Sequence, residues 1–317
     1  MDTMQLVRIH SFGGTEVLSL DEVPVPEPEA DELLLKVHAA GINPVDVKMR
    51  SGRYPGAEES MLPLALGREV SGTVVRCGPG VLGTRVGDTV HAMLGMDRGG
   101  YAEYVTIKPS EHVLKPPSLD HVSAAAVPLA ALTAWQGLFE RGELRPNQRV
   151  LIHGASGGVG HLAVQFAKQM GAQVMTTSSG ADLDFLRDLG ASHAIDYRDD
   201  EFDQQLRDLD LVLDLIGGET RDRSFAVIRP GGKLVSTLGE PSQDKANKHG
   251  IRVAGFMARP SAVQLYRIGR MFDAGEVRVT LDTVFPLRDV AAAHAHLESR
   301  HVRGKLVLRV AELAGSD

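Results

Sequence analysis

A single cysteine, Cys77, stands among the 317 residues of this chain. No intrachain disulfide can form, and no four-cysteine zinc site can be built. Beside Gly78-Pro79-Gly80 the thiol reads as a small, largely apolar residue near a turn rather than as a nucleophile. Long apolar runs are missing as well. Nothing approaches the ~18 uninterrupted residues of a membrane span, and Met1-Asp2-Thr3-Met4-Gln5 carries no secretory hydrophobic core. The expectation is a cytoplasmic protein without a membrane partner. Basic runs are also absent: 34 Lys and Arg against 41 Asp and Glu leave a formal charge of −7, with no footprint for nucleic acid. The 12 histidines contain no H-x-x-x-H pair, and His294 and His296, two apart, would sit on different faces of a helix. No metal is expected.

What is present is an ordinary globular composition, 43% hydrophobic and 24% charged with 34 glycines, in a chain long enough for two domains. Residues 1 to 125 read as β-rich. Met4–His10, Leu33–Ala39, Val70–Arg76, Arg85–Ala92 and Tyr101–Ile107 are short strand-like runs between Gly and Pro turns, and Pro24, Pro26 and Pro28 mark an extended connection. Ser123–Phe139 reads as helix, with Ser123 as N-cap and a break at Pro128. From Arg149 strands and helices alternate. The strand candidates are Arg149–His153, Gln173–Thr177, His193–Asp196, Leu209–Ile216, Lys233–Leu238 and Ile251–Phe256, enough for a doubly wound parallel sheet. The later helix–strand–helix–strand pattern, from about residue 261, is assigned back to the first domain. The division expected is therefore 1–125 with 261–317, and 126–260.

The run Val150-Leu151-Ile152-His153-Gly154-Ala155-Ser156-Gly157-Gly158-Val159-Gly160 carries most of the function. It is an apolar strand entering a glycine turn, followed by Val159, Leu162, Ala163, Phe166, Ala167 and Met170 at helical spacing. Such a turn lets the backbone approach a dinucleotide pyrophosphate over the unpaired N–H groups of the helix start, here through Ser156, Gly157, Gly158 and Val159. The same residues also satisfy G-x-S-x-G, a nucleophile elbow with Ser156 as nucleophile and Asp214 in triad order. The extra glycine at Gly160, the lack of an HGGG run and the repeating strand–helix units speak against that hydrolase.

Cofactor choice is read about 20 residues beyond the turn, where NAD-binding folds place an acid on the ribose. Counting from Gly157 reaches Thr177, followed by Ser178 and Ser179. With no carboxylate at that position and hydroxyls free to donate to a 2′-phosphate, NADP(H) is expected, although Asp182 follows closely. The loops Ile216-Gly217 and Leu238-Gly239, at the carboxyl ends of strands, are expected to cover the nicotinamide. Phe256 either joins them or packs at a dimer interface.

Several segments together resemble the zinc-free quinone oxidoreductase, or ζ-crystallin-like, branch of the medium-chain dehydrogenase/reductase superfamily. They are Gly41-Ile42-Asn43-Pro44-Val45-Asp46, Leu66-Gly67-Arg68-Glu69-Val70-Ser71-Gly72, Val86-Gly87-Asp88-Thr89-Val90, Gly99-Gly100-Tyr101-Ala102-Glu103-Tyr104, Leu132-Thr133-Ala134-Trp135, the His153–Gly160 turn and Arg303-Gly304-Lys305-Leu306-Val307-Leu308. Asn43–Gly52 and Leu66–Gly72 are most similar to the reticulon-4-interacting reductase homologues. The resemblance implies an α/β protein with a GroES-like β-rich catalytic domain and a doubly wound Rossmann cofactor domain, and a homodimer. Zinc-dependent cousins carry Cys at or near Asn43 and His at Arg68, so it also implies a metal-free site. By family position Asn43, Asp46, Lys48 and Tyr54 approach the cleft, Asn43 toward cofactor or substrate and Lys48 or Tyr54 as donor of a hydrogen bond or proton. Tyrosine often stands at the Lys48 position in this branch. Thr133 is implied near the nicotinamide, and Tyr197 with a basic residue among Arg300, Arg303 and Lys305 at the phosphate.

Without a Lewis acid, hydride transfer suits acceptors that are already electrophilic, such as quinones or C=C bonds conjugated to a carbonyl, with donors aimed at the developing oxyanion. The expected function is thus an NADPH-dependent reductase of a small quinone, enone or enoyl compound. The alternatives are an NADPH-binding protein with little turnover, and the Ser156 hydrolase.

Overall fold

In the computed structural model, which describes residues 2–299 and 301–310, the chain divides into two compact units. The first joins Met1–Leu129 to Arg259–Gly275 and Val279–Asp317, and the second joins Ala130–Ala258 to Glu276–Arg278.

The first unit contains strands β1 (Thr3–Ile9), β2 (Leu18–Pro24), β3 (Leu33–Ile42), β4 (Leu64–Ala65), β5 (Glu69–Cys77), β6 (Thr89–Met93), β7 (Tyr104–Ile107) and β8 (His112–Leu114). Helix α1 (Pro44–Arg50) follows β3 directly, and α2 (His121–Ala125) precedes α3 (Pro128–Trp135). β3 is covered along nearly its whole length, which is why it reads as an apolar run rather than an alternation. Leu35, Val70, Leu94 and Tyr101 belong to the core around it. Burial of each aliphatic side chain among them is worth about 1.5–3 kcal/mol. The α2 N-cap is Asp120, whose carboxylate accepts from the Ser123 N–H at 2.7 Å, and not Ser123. The helical stretch does break before Pro128, whose missing N–H is harmless in a first turn.

The second unit runs β9 (Arg149–His153), α4 (Gly160–Gln169), β10 (Gln173–Ser178), α5 (Leu183–Leu189), β11 (His193–Asp196), α6 (Phe202–Gln205), β12 (Leu209–Asp214), α7 (Gly218–Ser224), β13 (Ile228–Ser236), α8 (Gln243–His249) and β14 (Arg252–Gly255). The sheet order is β11-β10-β9-β12-β13-β14 and every pairing is parallel. The chain thus winds outward from β9 in both directions, which gathers the carboxyl ends of the strands along one edge.

The remaining elements, α9 (Ala262–Asp273), β15 (Leu281–Pro286), α10 (Val290–Ser299) and β16 (Lys305–Arg309), return to the first unit. β16 pairs antiparallel with β3, setting Leu306 opposite Ile42 and Val307 opposite Gly41. The sheet then reads β15-β16-β3-β5-β6-β8, with β7 also on β3. This register brings Lys305 beside the end of β3 and the start of α1.

Candidate active site

In the second unit β9 ends at His153 and the glycine turn leads straight into α4. A Cβ on Gly160 would stand 2.2 Å from the Gly154 carbonyl oxygen and 2.6 Å from the Ala155 Cα, so only glycine lets the helix seat this close to the strand. The N–H groups of Gly158 and Val159 take no backbone acceptor among the described residues, and the first turn of α4 contains no carboxylate. Unpaired amides at a helix start, without a competing acid, fit a dinucleotide pyrophosphate. Ser156 is buried, with its hydroxyl oxygen 3.0 Å from that of Ser178.

The ribose end differs from the expectation. Ser178 and Ser179 are buried, and both hydroxyls donate to the Asp182 carboxylate, at 3.3 and 3.2 Å. The short turn Gly180–Asp182 folds back, with the Asp182 N–H on the Ser179 carbonyl at 2.9 Å, so the acid that follows in sequence lies beside them in space. The acceptors within reach of these two hydroxyls, Asp182 and for Ser178 also Ser156, lie inside the fold and not at a phosphate. Tyr197 is 55% exposed and its N–H donates to the Ser178 carbonyl at 3.1 Å. The guanidinium of Arg198, which no motif in the sequence marks, stands 5.8 Å from the Tyr197 ring centre and forms no ion pair among the described residues.

Asp214, the acid a Ser156 triad would need, instead holds the loop after β12. It accepts from the N–H groups of Ile216 at 3.0 Å and Gly217 at 2.7 Å, and from the Ser236 hydroxyl at 2.7 Å. His153, the nearest histidine in sequence, is held between the hydroxyls of Thr177 (2.7 Å) and Ser224 (2.9 Å). The hydrolase constellation is not assembled from these groups. Ile216 is 54% exposed and Leu238 is also exposed, two apolar side chains at the carboxyl ends of neighbouring strands, and Gly239 follows Leu238. Phe256 lies on the ladder through its N–H to the Ser236 carbonyl, its ring beside Gly137. Thr133 is buried within α3.

In the first unit Asn43 caps α1 and Pro44 opens it. The Asn43 N–H donates to Asp46 Oδ2 at 2.8 Å, and the Tyr101 hydroxyl donates to the same oxygen at 2.9 Å. Burial pushes the Asp46 carboxyl up to about 6, although both hydrogen bonds oppose it. The Asn43 side chain, 3% exposed, is gripped from two sides. Its Nδ2 donates to Glu69 Oε1 at 2.8 Å, while its Oδ1 accepts from Lys305 Nζ at 2.5 Å. Lys305 also donates to the Ile42 carbonyl at 2.9 Å and pairs with Glu69 at 2.7 Å. Lys305 is only 2% exposed, so it is not the phosphate-binding base the resemblance implied: its ammonium is spent on Glu69 and Asn43. Arg303 is half-buried in the same unit, and Arg300 lies outside the described residues.

Lys48 lines a depression of about 260 Å³ with Pro44, Val47, Arg53, Leu297 and Glu298. The Tyr54 N–H donates to the Lys48 carbonyl at 3.1 Å, and its ring packs against the β-rich core. Arg68 is buried, its guanidinium turned onto the carbonyls of Leu94, Gly95 and Arg98. Among the described residues no three His, Cys, Asp or Glu side chains gather as a metal would require, and a guanidinium cannot ligate one. The residues present do not fit zinc.

A GroES-like unit with a buried polar cluster at the end of β3, and a doubly wound unit with a dinucleotide turn, together define a pyridine-nucleotide dehydrogenase or reductase. Residues 29–118 match the alcohol dehydrogenase GroES-like domain and residues 189–308 the zinc-binding dehydrogenase family. The chain belongs to the medium-chain dehydrogenase/reductase superfamily. It is 36% identical to the mitochondrial NAD(P)H oxidoreductase RTN4IP1 of Danio rerio, over 89% of this chain and 84% of that protein. It is 35% identical to the chloroplastic NADPH-dependent alkenal/one oxidoreductase of Arabidopsis thaliana, over 94% and 77%. Among solved structures, the quinone oxidoreductase of Coxiella burnetii superposes with a TM-score of 0.90 at 34% identity, covering 98% of this chain and 100% of that one. The Escherichia coli quinone oxidoreductase complexed with NADPH gives 0.88 at 28% identity, covering 96% and 100%. No helix of the described residues is long and apolar enough to cross a membrane.

Proposed function

We propose that the protein is an NADPH-dependent oxidoreductase that reduces a small quinone or a C=C bond conjugated to a carbonyl. The observation that carries this reading is the glycine turn with unpartnered amides at Gly158 and Val159, on a doubly wound sheet. The relatives named for NAD(P)H, alkenal/one and quinone chemistry support it.

Bound NADPH would supply the hydride. Gly158 and Val159 hold the pyrophosphate by backbone N–H groups, with Ser156 and Gly157, whose own N–H closes the turn on the Gly154 carbonyl, beside them. Ser178 and Ser179, braced by Asp182, shape the ribose wall. Tyr197 and Arg198 meet the 2′-phosphate, in place of Arg303 or Lys305. Ile216, Gly217, Leu238 and Gly239 give an apolar cover that excludes water from the ring; Thr133 and Phe256 complete it. In the β-rich unit Asn43 donates to the acceptor oxygen as charge develops there, and Lys48 or Tyr54 returns a proton. Glu69 and Lys305 leave one Asn43 N–H available, because the remaining contact, to the Gly41 carbonyl at 3.5 Å, is at the limit of a hydrogen bond. A cytoplasmic address and a homodimer belong to the proposal and are checked by fractionation and light scattering.

The test is a steady-state scan of NADPH oxidation against quinones, enones and enoyl thioesters. Turnover with one class supports the reading and names the acceptor. Tight NADPH binding without oxidation of any acceptor replaces it with a nucleotide-binding protein.

A further inference from the structure

The Glu69–Lys305 pair is a costly feature to build. Both side chains are buried, and a buried ion pair contributes little stability compared with apolar residues of the same volume. The fold nevertheless makes room for it. A Cβ on Gly41 would stand 2.3 Å from Glu69 Oε1 and 2.6 Å from the Ala125 carbonyl oxygen, so β3 must carry glycine there for the carboxylate to fit. Glu69 Oε2 accepts from the Leu129 N–H at 2.8 Å, which leaves Oε1 for Asn43 and Lys305. Lys305 spends its donors on Glu69, the Ile42 carbonyl and Asn43 Oδ1. The cluster has one side chain at its centre, the Asn43 amide, with a cation on its oxygen and an anion on its nitrogen.

We infer that Lys305 is a positioning residue for the reduction, acting through Asn43. The ammonium fixes which way the amide faces, since an exchanged oxygen and nitrogen would set Nδ2 against Lys305 and Oδ1 against Glu69. It also draws electron density toward Oδ1, which makes the second Nδ2–H a stronger donor to an acceptor oxygen gaining charge. Glu69 keeps the ammonium charged in the interior. This inference rests on the proposed role of Asn43.

The test compares Asn43→Ala, the double variant Glu69→Gln/Lys305→Met and the triple combination, reading kcat at saturating acceptor, NADPH affinity by fluorescence, and Tm. Removing both charges together avoids a lone buried ion. The expected result is a loss in kcat of about a hundredfold for Asn43→Ala and roughly tenfold for the double variant. NADPH affinity and Tm stay near wild type in the double variant, and the triple variant is no slower than Asn43→Ala. A double variant that keeps wild-type kcat, or a triple variant in which the losses multiply, overturns the inference while leaving Asn43 in place. Asn43→Ala with unchanged kcat overturns both the inference and the role of Asn43. If the double variant does not fold, Lys305→Gln and Lys305→Arg decide. The inference expects kcat to follow the donor, with Arg above Gln, and is overturned if kcat merely follows Tm.

Discussion

The two units meet their polar requirements in opposite ways. The β-rich unit buries charge: Glu69 with Lys305, Asp46 under Tyr101, Arg68 on carbonyls, and Arg50 between His294 and Glu298. The nucleotide unit works its site with backbone and hydroxyls: the amides of the glycine turn, Ser178 and Ser179 on Asp182, and Asp214 gathering the N–H groups of Ile216 and Gly217. A pyrophosphate needs many weak, fixed donors that any sequence with glycine at the right places can offer. An acceptor that gains charge only during reaction calls for a strong, oriented donor, and orientation is what a buried ionic cluster provides.

Breaking one side of the pair shows the contrast most strongly. Glu69→Ala leaves the Lys305 ammonium buried and alone, and is expected to cost about 3–5 kcal/mol by chemical denaturation. In the nucleotide unit the sensitive point is backbone. Gly160→Val drives a side chain into the Gly154 carbonyl and should destabilise that unit by about 1–3 kcal/mol. NADPH binding, followed by fluorescence of Trp135, should fall away while hydrogen exchange in the β-rich sheet stays unchanged.

Acid sharpens the comparison. Burial holds His91 and His121 down at about 4 and His294 at about 3 in the β-rich unit, and His153 at about 4 in the nucleotide unit. Each takes a proton more readily in the unfolded chain, near pH ~6.5, than in the fold. The associated stability is therefore complete above that pH and is lost as pH falls toward about 4. Asp46, raised to about 6, works in the other direction but is one group against five, because burial also lowers His38 and His112 in this unit. Hydrogen exchange between neutral pH and acid should show the β-rich unit loosening first. The smallest effect is local. Arg198→Gln should weaken NADPH binding about tenfold, or about 1.4 kcal/mol, and leave NADH binding and Tm alone. An equal loss for both nucleotides removes Arg198 from the phosphate site.

Much of this was legible in the sequence, for physical reasons. The strand bounds of β9 and β11 follow from short apolar runs closed by turns, and the parallel order follows from their alternation with helices. β2 and β8 were missed because β2 is nowhere fully buried and β8 is three residues long, so neither gives a clean pattern. The glycine turn was plain because its chemistry is backbone. Lys305 was misjudged because spacing cannot tell an ammonium facing solvent from one turned inward onto Glu69, twenty-six residues beyond Asn43 and on another strand. Spacing also does not show the turn that folds Asp182 back onto Ser178 and Ser179, and Arg198 stands outside both the loop after β10 and the C-terminal segment where a base is expected.

The central claim is tested most directly with NADPH carrying deuterium at the transferable position of its nicotinamide, an enone acceptor, and mass spectrometry of the product. The account predicts one deuterium per product molecule, bonded at the former β-carbon, in step with NADPH consumed. Product without deuterium, or tight NADPH binding with no reduced product from any enone or quinone, would contradict it.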